Sequence, residues 1–310
     1  MNVISRYTVS FLLAIICWMS SYSQQLPQYS QFMLNDFALN PAIAGKNADF
    51  WELKSNNRYQ WVGITDAPRT YVLSLNGPVS NGKMGLGGTL FTDIVGPTRR
   101  IGLNFSYSYH LKINEIYKLN LGVSAGLLQY SVDGHKLILQ DYSDLVLTNQ
   151  YKSALLPDFG TGAYFYSKKL FLSFSVPQLF NAQVKFKDTE HSDLSRIRPH
   201  FYLFAGYRFN LQNDFELEPS LMVKWREPAP VKMDVGARLI YRNMLWIGSY
   251  FRTKDAVSAI LGYLHKDQLW VAYSYDFTTT NLRNYSTGTH EIMLGLKFIS
   301  PKQNPREISQ

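Results

Sequence analysis

Six histidines, one cysteine and a scatter of carboxylates are the side chains of this 310-residue chain that could do acid–base, nucleophilic or metal chemistry. His110, His135, His191, His200, His265 and His290 are spread along the sequence, with no HExxH pair and no two at helical ligand spacing. No metal site is expected from such spacing. Ser108 and His110 stand two residues apart, on one face of a strand, where a nucleophile and its base could meet. No third group that would orient the histidine is identifiable, so the pair is read as polar lining. Glu216 and Glu218 also share a strand face, and they are expected to pair with lysines and arginines on neighbouring strands rather than to cycle protons. Gly85, Gly87 and Gly88, like Gly160 and Gly162, lack the Lys-Ser/Thr and the following helix that a phosphate loop needs. They read as inward glycines that ease strand curvature. No catalytic constellation, metal or cofactor is expected, and the chain is read as a non-enzyme.

The elements carrying these residues are strands. In Arg99 to Tyr130, Ile101, Leu103, Phe105, Tyr107, Tyr109 and Leu111 alternate with Gly102, Asn104, Ser106, Ser108 and His110. After a short turn at Lys112 to Glu115, Leu119, Leu121, Val123, Ala125 and Leu127 alternate with Asn120, Gly122, Ser124 and Gly126. This is a hairpin with one apolar and one hydrophilic face. Each arm runs to about 10 residues, against about 5–6 in soluble proteins. A tilted crossing of a hydrocarbon layer needs that length, with apolar side chains outward and polar ones in the lumen. A soluble sandwich would turn the faces the other way, and alternation alone leaves both open. Length, tyrosines at strand ends and the small second face favour the membrane.

The same unit recurs fourteen times: Phe50–Trp61, Arg69–Gly77, Lys83–Asp93, the two hairpin arms, Pro157–Ser167, Lys169–Val176, Arg198–Asn210, Phe215–Trp225, Val231–Tyr241, Met244–Arg252, Ala256–His265, Gln268–Phe277 and His290–Ile299. Pro219 is an awkward guest in mid-strand. Connections after the first, third, fifth, seventh and thirteenth strands are the longer ones, while those after even-numbered strands are mostly short turns. Membrane barrels sort their loops in this way, long outside and short inside the cell envelope. The expected fold is all-β: a transmembrane antiparallel β-barrel of about 14 strands, with an amino-terminal segment before the first strand.

The chain is 15% aromatic and only 17% charged, against roughly 25% charged in ordinary soluble domains. Its mean hydropathy of -0.16 is no obstacle, since barrels hide their hydrophobicity in alternation. Arg6 followed by the apolar run Val9 to Met19 reads as a signal peptide over residues 1–23, with maturation near Gln24 after Ser21-Tyr22-Ser23. Ile16 precedes Cys17 where a lipoprotein would need a small residue, so a lipid anchor is not expected. The mature chain then has no thiol. The formal charge of +8 loses one unit with Arg6, and the remaining basic residues are scattered, so no nucleic-acid partner is expected.

Residues 24–49 carry no clean period and are rich in aromatic and aliphatic side chains, which argues against a disordered leader. They are expected either to plug the lumen or to lie in the periplasm. The barrel follows over residues 50–299, and 300–310 form a polar tail. Arg100, Arg208, Glu216, Glu218, Lys224, Lys232, Asp234, Arg238 and Arg252 are expected to face the lumen. Their mixed signs suit a salt-bridged interior or a groove for a polypeptide or solute.

The stretch QYSQFMLNDFALNPAIAG (Gln28 to Gly45) resembles the opening motif of the PorP/SprF family, and its Asn40-Pro41-Ala42 is the most specific part. NRYQWVGITDAPRTYVLSLNGPV (Asn57 to Val79), LLPDFGTGAYFYSKKLFLSFSVPQLF (Leu155 to Phe180) and Arg198 to Trp225 are similar to the family as well. The resemblance implies an outer-membrane barrel of the type IX secretion system and gliding machinery; the even count of fourteen strands, with the long loops outside, is what places both termini in the periplasm. The resemblance also implies a role in exporting an adhesin-type cargo, or in holding it at the surface through its C-terminal domain. Periplasmic and lipoprotein subunits of the system would be partners, with outer-membrane lipid around the wall. On this reading the candidate partner- or cargo-binding residues are Gln28, Tyr29, Asn35, Asn40, Pro41, Arg58, Gln60 and Trp61. The lumenal Arg100, Arg208, Lys224, Lys232, Asp234, Arg238 and Arg252 join them, and the loops Ser131–Leu156 and Pro177–Arg196 are expected to contact cargo. Two other classes compete: an open diffusion channel for a small solute or hydrophobic compound, and a structural anchor for a periplasmic scaffold.

Overall fold

The computed structural model describes residues 27–136, 150–184, 186, 196–212 and 214–299. The signal segment with Cys17, the inner parts of the Ser131–Leu156 and Pro177–Arg196 loops with His191, and the 300–310 tail lie outside the described residues.

Burial resolves the ambiguity that alternation leaves. Along the opening hairpin the apolar positions are the exposed ones, Leu103 at 44% and Phe105 at 65%, whereas Ser108 and Asn120 are fully buried. The same inversion holds for Leu203, Val235, Leu261, Val271 and Leu294, all exposed, against buried Ser220, Asp234, Ser258, Ser274 and Glu291. A wall that is apolar outside and polar inside is made for lipid around it.

Fourteen strands close the wall: β1 (Phe50–Tyr59), β2 (Arg69–Val79), β3 (Met84–Val95), β4 (Thr98–Lys112), β5 (Lys118–Asp133), β6 (Tyr151–Tyr166), β7 (Leu170–Val176), β8 (Phe201–Tyr207 continuing as Phe209–Asn210), β9 (Phe215–Arg226), β10 (Ala229–Tyr241), β11 (Leu245–Arg252), β12 (Ala256–His265), β13 (Leu269–Thr278) and β14 (Thr289–Ile299). Each pairs antiparallel with the next, and β1 pairs with β14 to close the ring, Phe50 opposite Ile299. Closure leaves no edge strand in the ring. The first residue of β1 and the last of β14 therefore share one rim, the one that also carries the short turns 80–83, 113–117, 167–169, 211–214, 242–244 and 266–268.

Several boundaries differ from the sequence expectation for identifiable reasons. The third connection is only Gly96-Pro97, because β3 runs on to Val95 and Gly96 takes the positive φ of 57° that a tight turn needs. Strand β6 begins at Tyr151, six residues before Pro157. That proline is tolerated because β7 pairs with β6 only from Thr161 onward, leaving no ladder beside it on that side. Pro219 falls opposite Tyr207, next to the interruption of β8 at Arg208, and without an N–H it donates to neither neighbouring strand. Strand β1 ends at Tyr59, which puts Gln60 and Trp61 in the 60–68 connection.

The core lies inside the ring. Tyr29, Phe32, Phe37, Leu39, Ala42, Ile43 and Ala44 are buried against Tyr164, Tyr202, Phe204, Met222, Ile240, Tyr250 and Met293 of the inner wall. Phe32 meets Tyr250 and Phe204 edge-on, with ring centroids 5.3 and 6.4 Å away. The residues before β1 thus supply the hydrophobic filling that strands with a polar inner face lack.

Candidate functional site

The lumenal segment turns twice as it crosses the barrel. A one-turn helix, Asp36–Leu39, ends at Asn40, and a 3-10 turn, Pro41–Ile43, follows. Asn40 joins the two. Its side-chain oxygen caps the 3-10 turn by accepting from Ala42 N at 2.9 Å. Its amide nitrogen donates to the carbonyls of Ala163 and Phe174 and to Ser173 Oγ, at 3.0, 3.2 and 2.7 Å. Pro41 occupies the first turn position, where a missing N–H costs nothing. The Asn-Pro-Ala motif therefore has a geometric meaning: the cap, the turn and the anchor to β6 and β7 need all three residues.

Glycines make this fit possible. A Cβ added at Gly85 would lie 1.9 Å from the Ala44 oxygen, at Gly122 2.2 Å from Ala42 N, at Gly162 2.0 Å from Asn40 Oδ1 and at Gly87 2.4 Å from the Phe37 ring. At Gly85, Gly87 and Gly162 strand curvature is thus not the main requirement, because the closest neighbour of each is the lumenal segment itself. Ser108 and His110 also serve it. Ser108 Oγ donates to the Ala44 carbonyl at 2.6 Å, and His110 Nε2 lies 2.9 Å from the same oxygen and 2.8 Å from Ser108 Oγ. His110 Nδ1 faces the Gly82 carbonyl at 2.8 Å, not a carboxylate.

The opposite wall grips by charge. Arg58 of β1 donates to Asp276 of β13 and Glu291 of β14, both at 2.8 Å, with all three side chains at most 2% exposed. Arg252 of β11 reaches Asp234, Asp255 and Asp276 at 3.2 to 3.3 Å. The lumenal segment threads between these arginines. Ser30 Oγ donates to Asp276 and accepts from Arg58 and Arg252, the Tyr29 carbonyl accepts from Arg252, and the Ser30 and Gln31 amides donate to Glu291. Ions this buried persist only when their hydrogen-bonding capacity is taken up, and the segment takes up part of it.

Farther toward the short-turn rim, Asp36 lies between Lys46 and Lys54, and Lys54 also bonds the Leu34 carbonyl at 2.8 Å. Burial alone would raise the Asp36 carboxyl, but the two ammonium groups outweigh it and hold it well below the usual carboxylate range. Glu218 bridges Arg238 at 2.5 Å and Arg208 at 2.8 Å, Glu216 pairs with Arg208, and Lys224 pairs with Asp234 at 2.7 Å. Lys232 lies across the ladder from Lys224. Arg100 pairs with Asp93 at 2.5 Å.

The structure thus joins Tyr29, Arg58, Asp234 and Arg252 in one network with Lys224, and sets Asn40 and Pro41 against the small-residue wall. Asn35 is buried before the short helix without capping it through its side chain. Gln28 is half-buried at the start of the segment. Gln60 and Trp61 stand apart, held at the rim by Gln60 N to the Pro68 carbonyl and Trp61 N to Thr289 Oγ1, both 3.0 Å. Ser30, Asp36, Lys54, Asp276 and Glu291 belong to the site although no motif marks them in the sequence. A carboxylate on the inward face of a strand, as at Asp276 and Glu291, is the signal that would find the two strand acids.

The molecule is a membrane β-barrel whose lumen is occupied by its own amino-terminal segment. A model of the family described as type IX secretion system membrane protein PorP/SprF matches residues 21–296, and the chain belongs to that family. It is an outer-membrane barrel of type IX secretion, and the family implies association with other components of that system. No curated protein matches the chain. Solved structures similar to it include a FadL homologue of Pseudomonas aeruginosa (13% identity, TM-score 0.46, covering 83% of this chain and 91% of that one). Others are the outer-membrane protein Omp33 of Acinetobacter baumannii (9%, 0.46, 82% and 99%) and the CymD monoaromatic hydrocarbon channel (12%, 0.44, 88% and 92%).

Proposed function

We propose that this barrel serves the export or surface attachment of a specific adhesin-type cargo, engaged through the cargo's C-terminal domain, and that it does so without catalysis. In this reading residues 1–23 are a cleaved signal peptide, the short-turn rim and both termini face the periplasm, and the long connections face outward. The observation that carries it, beyond family membership, is the lumen. An amino-terminal segment capped at Asn40, seated on glycines and bound into the Arg58–Arg252 network suits a protein-handling barrel better than an open passage for solutes. The other system components, periplasmic and lipoprotein subunits among them, would meet it on the short-turn side, and gliding would follow where the cargo is a motility adhesin.

The test is mild-detergent purification of the tagged protein from its native outer membrane, followed by mass spectrometry and planar-bilayer recording. Recovery with a large surface protein or its C-terminal domain, and no steady conductance, is the expected result. Recovery alone together with single-channel conductance would replace this reading with the diffusion channel.

A further inference from the structure

At the short-turn rim the lumen widens into a cavity of about 740 Å³, within the roughly 300–1,000 Å³ of ordinary ligand pockets. Leu34, Asp36 and Lys46 of the lumenal segment are part of its lining, so a molecule entering from this rim meets that segment. Two features mark it as a built site. Its wall carries two indoles, Trp246 and Trp270, set edge-to-face at 6.3 Å. Each lies over a glycine that leaves room for nothing else: a Cβ at Gly262 would be 2.2 Å from Trp246, and one at Gly295 2.0 Å from Trp270. Trp270 donates to Glu52 at 3.0 Å, and Trp246 Nε1 is buried over Gly262 without a hydrogen-bond partner among the described residues.

The second feature is charge. Lys118, Lys168, Lys169 and Lys297 line the cavity from β5, the β6–β7 turn and β14, and none is ion-paired among the described residues. Lys118 rests over the Tyr166 ring and Lys297 over Phe50, contacts that position the ammonium groups while no carboxylate among the described residues lies within ion-pair distance. The acids deeper in are already committed, Glu218 to two arginines and Asp36 to two lysines.

We propose that this cavity is a docking pocket for an acidic polypeptide segment bearing an aromatic side chain, supplied by a partner on the short-turn side. The ring would lie against the apolar lining beside the indoles, Leu34, Phe171 and Leu264 among it, and the carboxylates would meet the four lysines. The pocket opens into the lumen and not onto the outer wall, so a peptide reaches it where a bilayer headgroup does not. The partner's compartment, the periplasm, rests on the function proposed above.

The test uses the full-length protein in detergent with a fluorescein-labelled peptide of alternating Glu and Ser around one central Phe. Controls are the same peptide with Lys for Glu, and phosphatidylglycerol vesicles. Salt-sensitive binding of the acidic peptide is expected, weakened at least about tenfold by the combined K118E, K168E, K169E and K297E changes, and unaffected by R69E at the opposite rim. The corresponding Lys→Gln quadruple should weaken it as well, and heat-modifiable gel mobility verifies that each variant is folded. Equal binding of the basic peptide, indifference to both quadruples, or capture by vesicles in place of peptide would each overturn the pocket. Cargo display by cells lacking the gene is scored in parallel. If deletion abolishes display but the acidic peptide does not bind, the pocket alone is wrong and the secretion reading stands.

Discussion

The two walls of the lumen hold the same segment by different physics. From β3 to β7 the wall is Gly85, Gly87, Ser108, Gly122, Gly162, Ser173 and Ser175, and residues 37–44 lie against it close enough that a single added carbon would overlap backbone or ring. From β9 through β14 and round to β1, it is Glu218, Asp234, Arg238, Arg252, Asp276, Glu291, Lys54 and Arg58, and residues 29–36 are held there by charged hydrogen bonds. A small-residue wall recognises shape and tolerates no surplus volume. A charged wall forgives small displacements but not the loss of a partner. The segment is therefore fixed in position by one side and fixed in sequence by the other.

The largest effect should come from the charged wall. Arg58→Ala leaves Asp276 and Glu291 buried without one of their cations, and removing one partner of a buried ionic group costs about 3–5 kcal/mol. The expected outcome is a matching loss in unfolding free energy, read from urea titration of heat-modifiable mobility, with the lumenal segment newly open to protease. Gly122→Ala should follow at about 1–3 kcal/mol, the usual cost of overpacking. The methyl would meet the backbone of Ala42 and Pro41, which no rotamer change relieves. If Gly122→Ala proved the more damaging, shape and not charge would be the main hold, and the comparison would reverse.

The difference between the walls also decides what could be read in advance. The outer face was legible from alternation, because period-two apolar positions such as Leu103 and Phe105 depend only on local pleat and a nonpolar exterior. Glu218, Asp234, Arg238 and Arg252 are legible as inward groups because they sit on polar faces of alternating strands, whereas no motif in the sequence sets Lys54, Arg58, Asp276 and Glu291 apart as inward charges. Partners are not legible for any of them, because which arginine meets which carboxylate depends on curvature and register around a closed ring. Pro157 and Gly96 misled locally, for a proline reads as a boundary until the missing neighbour strand is known. Glycine gave the least warning: Gly122 and Gly162 look like strand weakeners until Ala42 and Asn40 are seen against them.

Between the walls stands Asn40, whose side chain both shapes the segment and ties it to the barrel. Asn40→Ala removes the cap on the 3-10 turn and three donated bonds to β6 and β7. A loss of about 0.5–2 kcal/mol is expected from the cap. Asn40→Ser should recover most of the cap but not the bonds across to the wall. If the two variants unfold alike, the wall contacts matter and the turn does not; if serine rescues fully, the turn is the whole effect.

The smallest expected effect isolates burial as the cause. Lys112 and Glu115 form an ion pair at 2.8 Å in the β4–β5 turn, the same length as Arg58 with Asp276, yet both side chains are exposed. Water solvates each partner nearly as well as the other does, so little is gained by their meeting and little is left stranded when one goes. Lys112→Ala should leave the unfolding midpoint within measurement error of the parent. A shift approaching that of Arg58→Ala would mean that distance alone sets the strength of these pairs, and the contrast drawn between buried and open charge in this barrel would fail.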